Sequence, residues 1–324
     1  MKRILVTGGA GYIGSHSCKA LAAAGYEPVT MDNLSRGHRH AVKWGPFIQA
    51  DIQDAEIVRQ VVKDFGVVAV LHFAGYAYVG ESMQEPAIYF GNNVCATYGL
   101  LEALRATSLR DIVFSSTCAI YGEQGQSPVS EQAAQEPEST YGLSKLMVEK
   151  ILNDYCRAYD FRSVSLRYFN AAGADADGGL GEEHDPEPHI VPTVLAAARD
   201  GNGVTLNGND YPTADGTCVR DFTHVTDLAE AHVAALERLL EGGSRRAYNL
   251  GSGKGCSLRQ LVSAAERVTG KPIETRYFPR RPGDPSFAVA NCSLAATELG
   301  WQARRSELDN ILQSAWAWMN RTKA

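Results

Sequence analysis

A chain of 324 residues, 44% hydrophobic and 21% charged, has the composition of a folded protein and the length of one large α/β domain or two closely packed ones. Its formal net charge of −6 argues against a general nucleic-acid binder, which needs a basic face. No apolar run approaches a membrane span, and the seven cysteines contain no CxxC pair, so a reduced, cytoplasmic protein with no membrane partner is expected.

Apolar runs and helix-length segments alternate along the first half. Strands are expected at Arg3–Thr7, Pro28–Met31, Phe47–Ala50, Val67–Phe73, Ile112–Ser115 and Ser163–Phe169. Helices are expected at Tyr12–Ala24, Ala55–Asp64, Ile88–Ala106 and Tyr141–Tyr159. That rhythm predicts βαβ units and an α/β, doubly wound, Rossmann-type parallel sheet with right-handed crossovers. After Asn170 the rhythm breaks. Ala171–Pro188 is rich in Gly, Asp, Glu and Pro and is long for a structureless loop, so it is functional, disordered or a tolerated surface insertion. Gly208–Asp221 reads as a second loop. Arg246–Asn249 reads as a strand returning to the sheet, and Leu308–Met319 as an amphipathic helix packing Trp316 and Trp318. The division expected is a cofactor-binding part over 1–169, rejoined around 217–250, and a smaller substrate-binding part over 170–324.

Between the first strand and helix lie Gly8, Gly11 and Gly14, spaced GxxGxxG. Such a loop lets the backbone approach a pyrophosphate and offers it the N–H groups of a helix start. Alone it is also a tight turn without a ligand. Asp32, at the end of the second strand, stands where a carboxylate accepts the adenine-ribose hydroxyls and repels a 2′-phosphate, which favours NAD over NADP. Arg36 and Arg39 pull the other way, since an arginine can hold that phosphate. Asp51 and Ile52 read as adenine-side contacts, with a helix N-cap the competing reading for Asp51. Phe73, Ala74 and Gly75 end the fourth strand with small residues that admit a cofactor. Tyr141 and Lys145 form YxxxK, one helical turn apart, so the ammonium is expected to lower the tyrosine pKa and make it a general base. YxxxK by itself is usually a solvated helix face. Here it follows a strand ending in Ser115-Ser116-Thr117, and Thr117 is expected to share the proton. His16, His72, His184, His224 and His232 show no metal-ligand spacing, and no metal is expected.

Over nearly its whole length the chain resembles the UDP-glucose 4-epimerase family of extended short-chain dehydrogenases/reductases. The resemblance is carried by VTGGAGYIGSH, MDNL, HFAG with VGES, NNV, FSSTCAIYG, YGLSKLMVE, LRYFNAAGA, NDYPTADGTCVRDFTHV, YNLGSGKG and RRPGD. It implies bound NAD, contacted through Tyr12, Ile13, Asn33, Asn92, Ser115 and Tyr168 besides the residues above. It implies a UDP-sugar substrate, catalysis by Thr117, Tyr141 and Lys145, and a homodimer. Hydride would pass from C4 to NAD and return to the other face of a 4-keto sugar. Asn170, Arg220, Arg281 and Asp284 would hold the diphosphate and uridine ribose; a salt bridge to Asp221 or Asp227 is the bland reading of Arg220. His189 stands where relatives have an asparagine, as a neutral donor or simply a helix-start residue. Ala288 would border the sugar and leave room for an N-acetyl group, unless Phe287 fills that space. Ala77 departs from the family, which often has lysine there. UDP-xylose, UDP-arabinose or UDP-N-acetylglucosamine are alternative substrates. A 4,6-dehydratase is disfavoured because Cys118 and Ala119 replace its acid–base pair, and a silent NAD sensor because Thr117, Tyr141 and Lys145 are all present.

Overall fold

The computed structural model describes residues 1–281 and 283–321. Its strands, in chain order, are β1 Arg3–Thr7, β2 Glu27–Asp32, β3 Phe47–Gln49, β4 Val67–His72, β5 Asp111–Thr117, β6 Arg162–Tyr168, β7 Asn170–Ala172, β8 Val204–Asn207, β9 Val219–His224, β10 Arg246–Leu250, β11 Gly255–Ser257, β12 Thr275–Phe278 and β13 Phe287–Ala288. Seven of them form one parallel sheet in the order β10-β6-β5-β4-β1-β2-β3. The order reverses between β1 and β4, and a doubly wound sheet opens a crevice outside its carboxyl ends at that point.

The cores of β1 and β4 read as unbroken apolar runs because both faces of the sheet are covered there. Alternate residues of β1 go to opposite sides. Ile4 and Val6 join Leu71, Val113, Val164 and Leu166 beneath Leu228, Leu236 and Leu239 of the helix Val225–Leu240. Leu5 joins Val29, Val70, Ile112 and Phe114 beneath side chains of Ala55–Phe65, Ala96–Arg105 and Thr140–Ala158. Strand β10 pairs with β6 at the sheet edge, where a returning strand was expected.

The smaller part has its own core. There β9 lies between β11 and β13 and also pairs with β7, while β8 and β12 form a parallel pair. Helices Ile190–Asp200, Leu258–Thr269 and Leu308–Met319 enclose Val194, Leu195, Leu206, Phe222, Leu261 and Leu312.

Three elements differ from the sequence reading. The continuous helix expected over Ile88–Ala106 is interrupted: Pro86–Tyr89 and Ala96–Arg105 flank a wide π-type turn at Phe90–Cys95. The turn carries Asn93, whose amide bonds Tyr76 through both backbone groups and donates to Ser144 Oγ. A contact made across sequence thus outweighs the regular i→i−4 ladder, and such bulges cluster at functional sites. The expected loop Ala171–Pro188 begins in strand β7, and that at Gly208–Asp221 ends in β9; the two pair with each other, a contact set by segments distant in sequence. Trp318 is buried as expected, but its indole also donates to the Glu182 carbonyl at 2.9 Å and pins the irregular segment.

Candidate active site

A cleft of about 1640 Å³ runs along the carboxyl ends of the central strands and under the smaller part. Every residue assigned above to cofactor, catalysis or substrate lines it. One end is made of backbone. Gly8 has φ +72, and a Cβ there would sit 2.5 Å from the Ala74 amide nitrogen. A Cβ on Gly14 would sit 2.2 Å from the Gly8 carbonyl oxygen. Only glycine permits this approach, and it leaves the helix start at Gly11, Tyr12 and Ile13 facing the cleft. The Tyr12 hydroxyl reaches across to donate to the Gly173 carbonyl at 2.6 Å.

Asp32 is held beside this loop. Its carboxylate accepts from the Ala10 and Leu34 amides at 3.0 and 2.8 Å. Burial raises its pKa, and those two hydrogen bonds oppose the rise. Asn33 donates to Asp51 at 2.8 Å at the rim, with Ile52 beneath. Asp51 is not the helix N-cap: Asp54 caps Ala55–Phe65 instead. Phe73, Ala74 and Gly75 follow β4 along the floor, and Asn92 donates to Asn93 beside them. Arg36 and Arg39 have other partners. Arg39 lies over the Phe47 ring. Arg36 pairs with Glu81 at 2.7 Å and stacks 4.2 and 4.4 Å from the Tyr76 and Tyr78 ring centres, which flank Ala77. Its Nη1 is buried without a hydrogen-bond partner.

At the centre, Ser115 and Tyr168 share a hydrogen bond between their hydroxyls. Thr117 ends β5 and accepts from the Ala119 amide at 3.1 Å, leaving its own proton free to donate. Tyr141 and Lys145 stand one turn apart on Thr140–Ala158 and are both buried. The expected lowering of Tyr141 by the lysine is not found. Burial pushes the Tyr141 hydroxyl up to about 12, and only hydrogen bonding with Thr117 draws it down. The Lys145 ammonium lies over the Phe114 ring and donates to the Ser115 carbonyl at 3.0 Å. Burial lowers the Lys145 pKa to about 8. The Tyr141 amide is fixed by Ser82 Oγ at 3.0 Å.

The other end is made of side chains. Arg220 on β9 pairs with Asp284. Neither acid named as its bland partner is available. Asp221 accepts from the Ser252, Gly253 and Ala290 amides, while Asp227 binds Arg305 and Ser306. Arg281 faces the side-chain amide of Asn207. Asn170 donates to the Asp221 carbonyl at 3.0 Å. Ala288 lies opposite Arg220 in the β13–β9 register and packs with Ile120, Tyr121, Val129 and Phe169; Phe287 lines the cleft beside it. His189 corrects its reading as a neutral donor. It begins the helix Ile190–Asp200, and although burial opposes protonation, Glu182 and Glu187 hold its pKa up at about 10.

Several lining residues escaped the sequence reading. Glu182 and His184 sit in a segment with no periodicity, and their only sequence signal was the length and polarity of 171–188. Behind the lining, Asn93 of the NNV motif does the bonding beside Asn92.

The doubly wound sheet, glycine cradle and buried Tyr–Lys pair define a dinucleotide-binding enzyme of the extended short-chain dehydrogenase/reductase class. The profile of the NAD dependent epimerase/dehydratase family matches residues 4–251. The chain is 48% identical over 319 residues to a UDP-glucose 4-epimerase from Rhizobium meliloti, covering 98% of this chain and 97% of that protein. The crystal structure of a Brucella ovis UDP-glucose 4-epimerase in complex with NAD superposes with a TM-score of 0.94 at 48% identity, covering 98% of both chains. A Stenotrophomonas maltophila UDP-glucose-4-epimerase with bound NAD and formylated UDP-arabinopyranose gives 0.94 at 39% identity, again over 98% of both. The chain belongs to the UDP-glucose 4-epimerase family.

Proposed function

We propose that this protein interconverts UDP-glucose and UDP-galactose at C4, with NAD held as a resident cofactor. The observation that carries the reading is the placement of Tyr141 and Thr117 midway along one cleft, between a glycine cradle and the Arg220–Asp284 pair. The residues fit the cofactor. A Cβ would fill the cradle at Gly8 and Gly14, Asp32 suits the ribose hydroxyls, and the Arg36 Nη1, buried without a hydrogen bond, offers a donor at the cleft. NAD supplies the transient acceptance and return of a hydride at C4, chemistry that no side chain provides.

The chain's own work is binding, orientation and proton handling. Tyr141 takes the O4 proton, and Thr117 hydrogen-bonds the same oxygen. With NAD bound, Lys145 would hold the nicotinamide ribose, and its ammonium near Tyr141 would favour the phenolate. Arg220 and Arg281 grip the diphosphate through their planar forks while the sugar turns, and Asp284 and Asn170 orient the nucleotide.

We assign the cofactor to residues 1–169 with the return around 217–250, and the sugar nucleotide chiefly to 170–324. Among the described residues no helix is long and apolar enough to cross a membrane, in keeping with a cytoplasmic enzyme. Exposed Tyr98, Leu143 and Met147 on two neighbouring helices support a homodimer, to be checked by light scattering. The decisive assay follows UDP-galactose conversion to UDP-glucose by purified protein without added coenzyme. Absence of turnover even with NAD supplied would refute the epimerase reading; turnover only with NAD supplied would refute resident cofactor alone.

A further inference from the structure

The irregular segment over the cleft gathers four side chains that the proposed reaction does not use as a set: Glu182, His184, Glu187 and His189. One ligand atom from each lies within 4.8 Å of all the others. His184 Nδ1 is 3.3 Å from Glu182 Oε1 and 3.4 Å from Glu187 Oε2. His189 Nδ1 is 2.5 Å from Glu182 Oε1 and 3.4 Å from Glu187 Oε1. Histidine and glutamate therefore alternate around a ring that closes through both oxygens of the Glu187 carboxylate. The atoms are close but poorly aligned for hydrogen bonding: Glu182 Oε1, His184 Nδ1 and His189 Nδ1 are all buried without a hydrogen-bond partner. The Glu182 side chain is only 7% exposed. Buried polar atoms that meet at ion-pair distance without hydrogen-bond alignment are costly and call for a further partner.

We propose that this ring is a binding site for a divalent transition cation, with zinc the expected ion. Two imidazoles and two carboxylates balance the charge of such a cation, and the imidazoles favour zinc over magnesium or calcium. Tetrahedral zinc with bonds of about 2.0–2.1 Å places its ligand atoms about 3.3 Å apart. With Glu187 Oε2 as its ligand atom, the contacts of His184 with Glu182 at 3.3 Å and with Glu187 at 3.4 Å already have that length; the His189–Glu182 contact opens and the wider separations close.

The ligands are held from outside. Glu187 Oε1 accepts from the His189 amide at 2.9 Å, the Tyr12 and Tyr78 rings meet His184 edge-on, and Trp318 fixes the Glu182 carbonyl. Between the ligands, the Glu183 carbonyl hydrogen-bonds His38 Nε2 at 2.8 Å, beyond the Asp32 strand end. An ion here fastens the segment across the mouth of the cleft and takes no part in proton transfer. The histidines showed no metal spacing in the sequence because Glu-x-His-x-x-Glu-x-His converges only when this segment folds back on itself.

The test is metal uptake by the whole protein after dialysis against a chelator. Titration with cobalt(II), then displacement by zinc, is expected to give one ion per chain and the visible absorption of four-coordinate cobalt. Glu182→Gln and His184→Gln should each weaken uptake by at least about 100-fold, beyond the loss from disturbing a ligand's outer partner, with unfolding melts as a folding control. No stoichiometric uptake by the unmodified protein at micromolar metal overturns the proposal, whatever the variants do. Uptake that survives both substitutions overturns it as well, because the ion then sits elsewhere. Sugar turnover is not the readout, so this proposal and the epimerase reading fail separately.

Discussion

The two ends of the cleft achieve specificity by different means. The cofactor end is shaped by main chain: Gly8 at φ +72, Gly14 against the Gly8 carbonyl, and amides that hold Asp32. The substrate end is shaped by paired side chains: Arg220 with Asp284, Arg281 with Asn207, and His189 with two glutamates. A wall of backbone tolerates no added atom, whereas a wall of ion pairs can exchange one partner for a ligand's charge. The first suits a group that stays bound, and the second suits one that arrives and leaves.

The sharpest way to break this comparison is at Gly14. Gly14→Val puts side-chain atoms where even a Cβ meets the Gly8 carbonyl oxygen at 2.2 Å. Purified variant is expected to carry essentially no nicotinamide by absorbance or extraction; normal cofactor content would show that the backbone cradle does not define this end. Tyr141→Phe should leave both ends intact, since the buried ring still packs. A fall in kcat of about 10²–10⁴-fold with cofactor content unchanged is expected for loss of the proton-transfer group, and a near-normal kcat would remove Tyr141 from the chemistry.

At the substrate end, Arg220→Lys keeps the charge but loses the fork. KM for UDP-sugar should rise roughly 10–100-fold, the cost of about 1.5–3 kcal/mol for a charged hydrogen bond, with kcat changing less. An unchanged KM would place the diphosphate elsewhere. Lys145 tests the junction through stability. Burial lowers its pKa from 10.5 to about 8, so below pH 8 the amine is charged in both folded and unfolded states and its burial penalty is fully present. Between pH 8 and 10.5 the folded state gives up that proton first, and the penalty fades as pH rises. Lys145→Met in cofactor-stripped protein should therefore be more stable than the parent at pH 7, by on the order of 2–3 kcal/mol, with the gap closing toward pH 10.5. Equal stability at pH 7 would mean that the Ser115 carbonyl compensates the buried charge.

The smallest effect is expected at Ala288. Activity on UDP-N-acetylglucosamine should be measurable, weaker than on UDP-glucose, and reduced selectively by Ala288→Tyr. The packing with Ile120, Tyr121, Val129 and Phe169 directs an added ring toward the cleft, and overpacking itself costs about 1–3 kcal/mol. Equal loss on both sugars would mean that the substitution only damages this core.

Local pattern determined a large part of this molecule. The runs at Ile4–Val6 and Ala69–Leu71 are apolar throughout because a doubly covered sheet buries both faces of a strand, and the glycine spacing is legible because a positive φ and a close approach exclude other residues. Tyr141 and Lys145 were legible as a pair because helix periodicity alone places them on one face. What the pair does electrostatically was not. Lys145 reaches Ser115, 30 positions away, and burial by distant segments dominates Tyr141. Arg220 finds Asp284 across 64 positions rather than its neighbour Asp221, which backbone amides have already claimed. The break at Phe90–Cys95, the charge on His189 and the convergence of the Glu182–His189 segment likewise depend on which distant groups desolvate or pair with them. Periodicity and steric exclusion act over a few residues and can be read along a chain; hydrogen-bond competition and burial are set by neighbours that only the tertiary fold supplies.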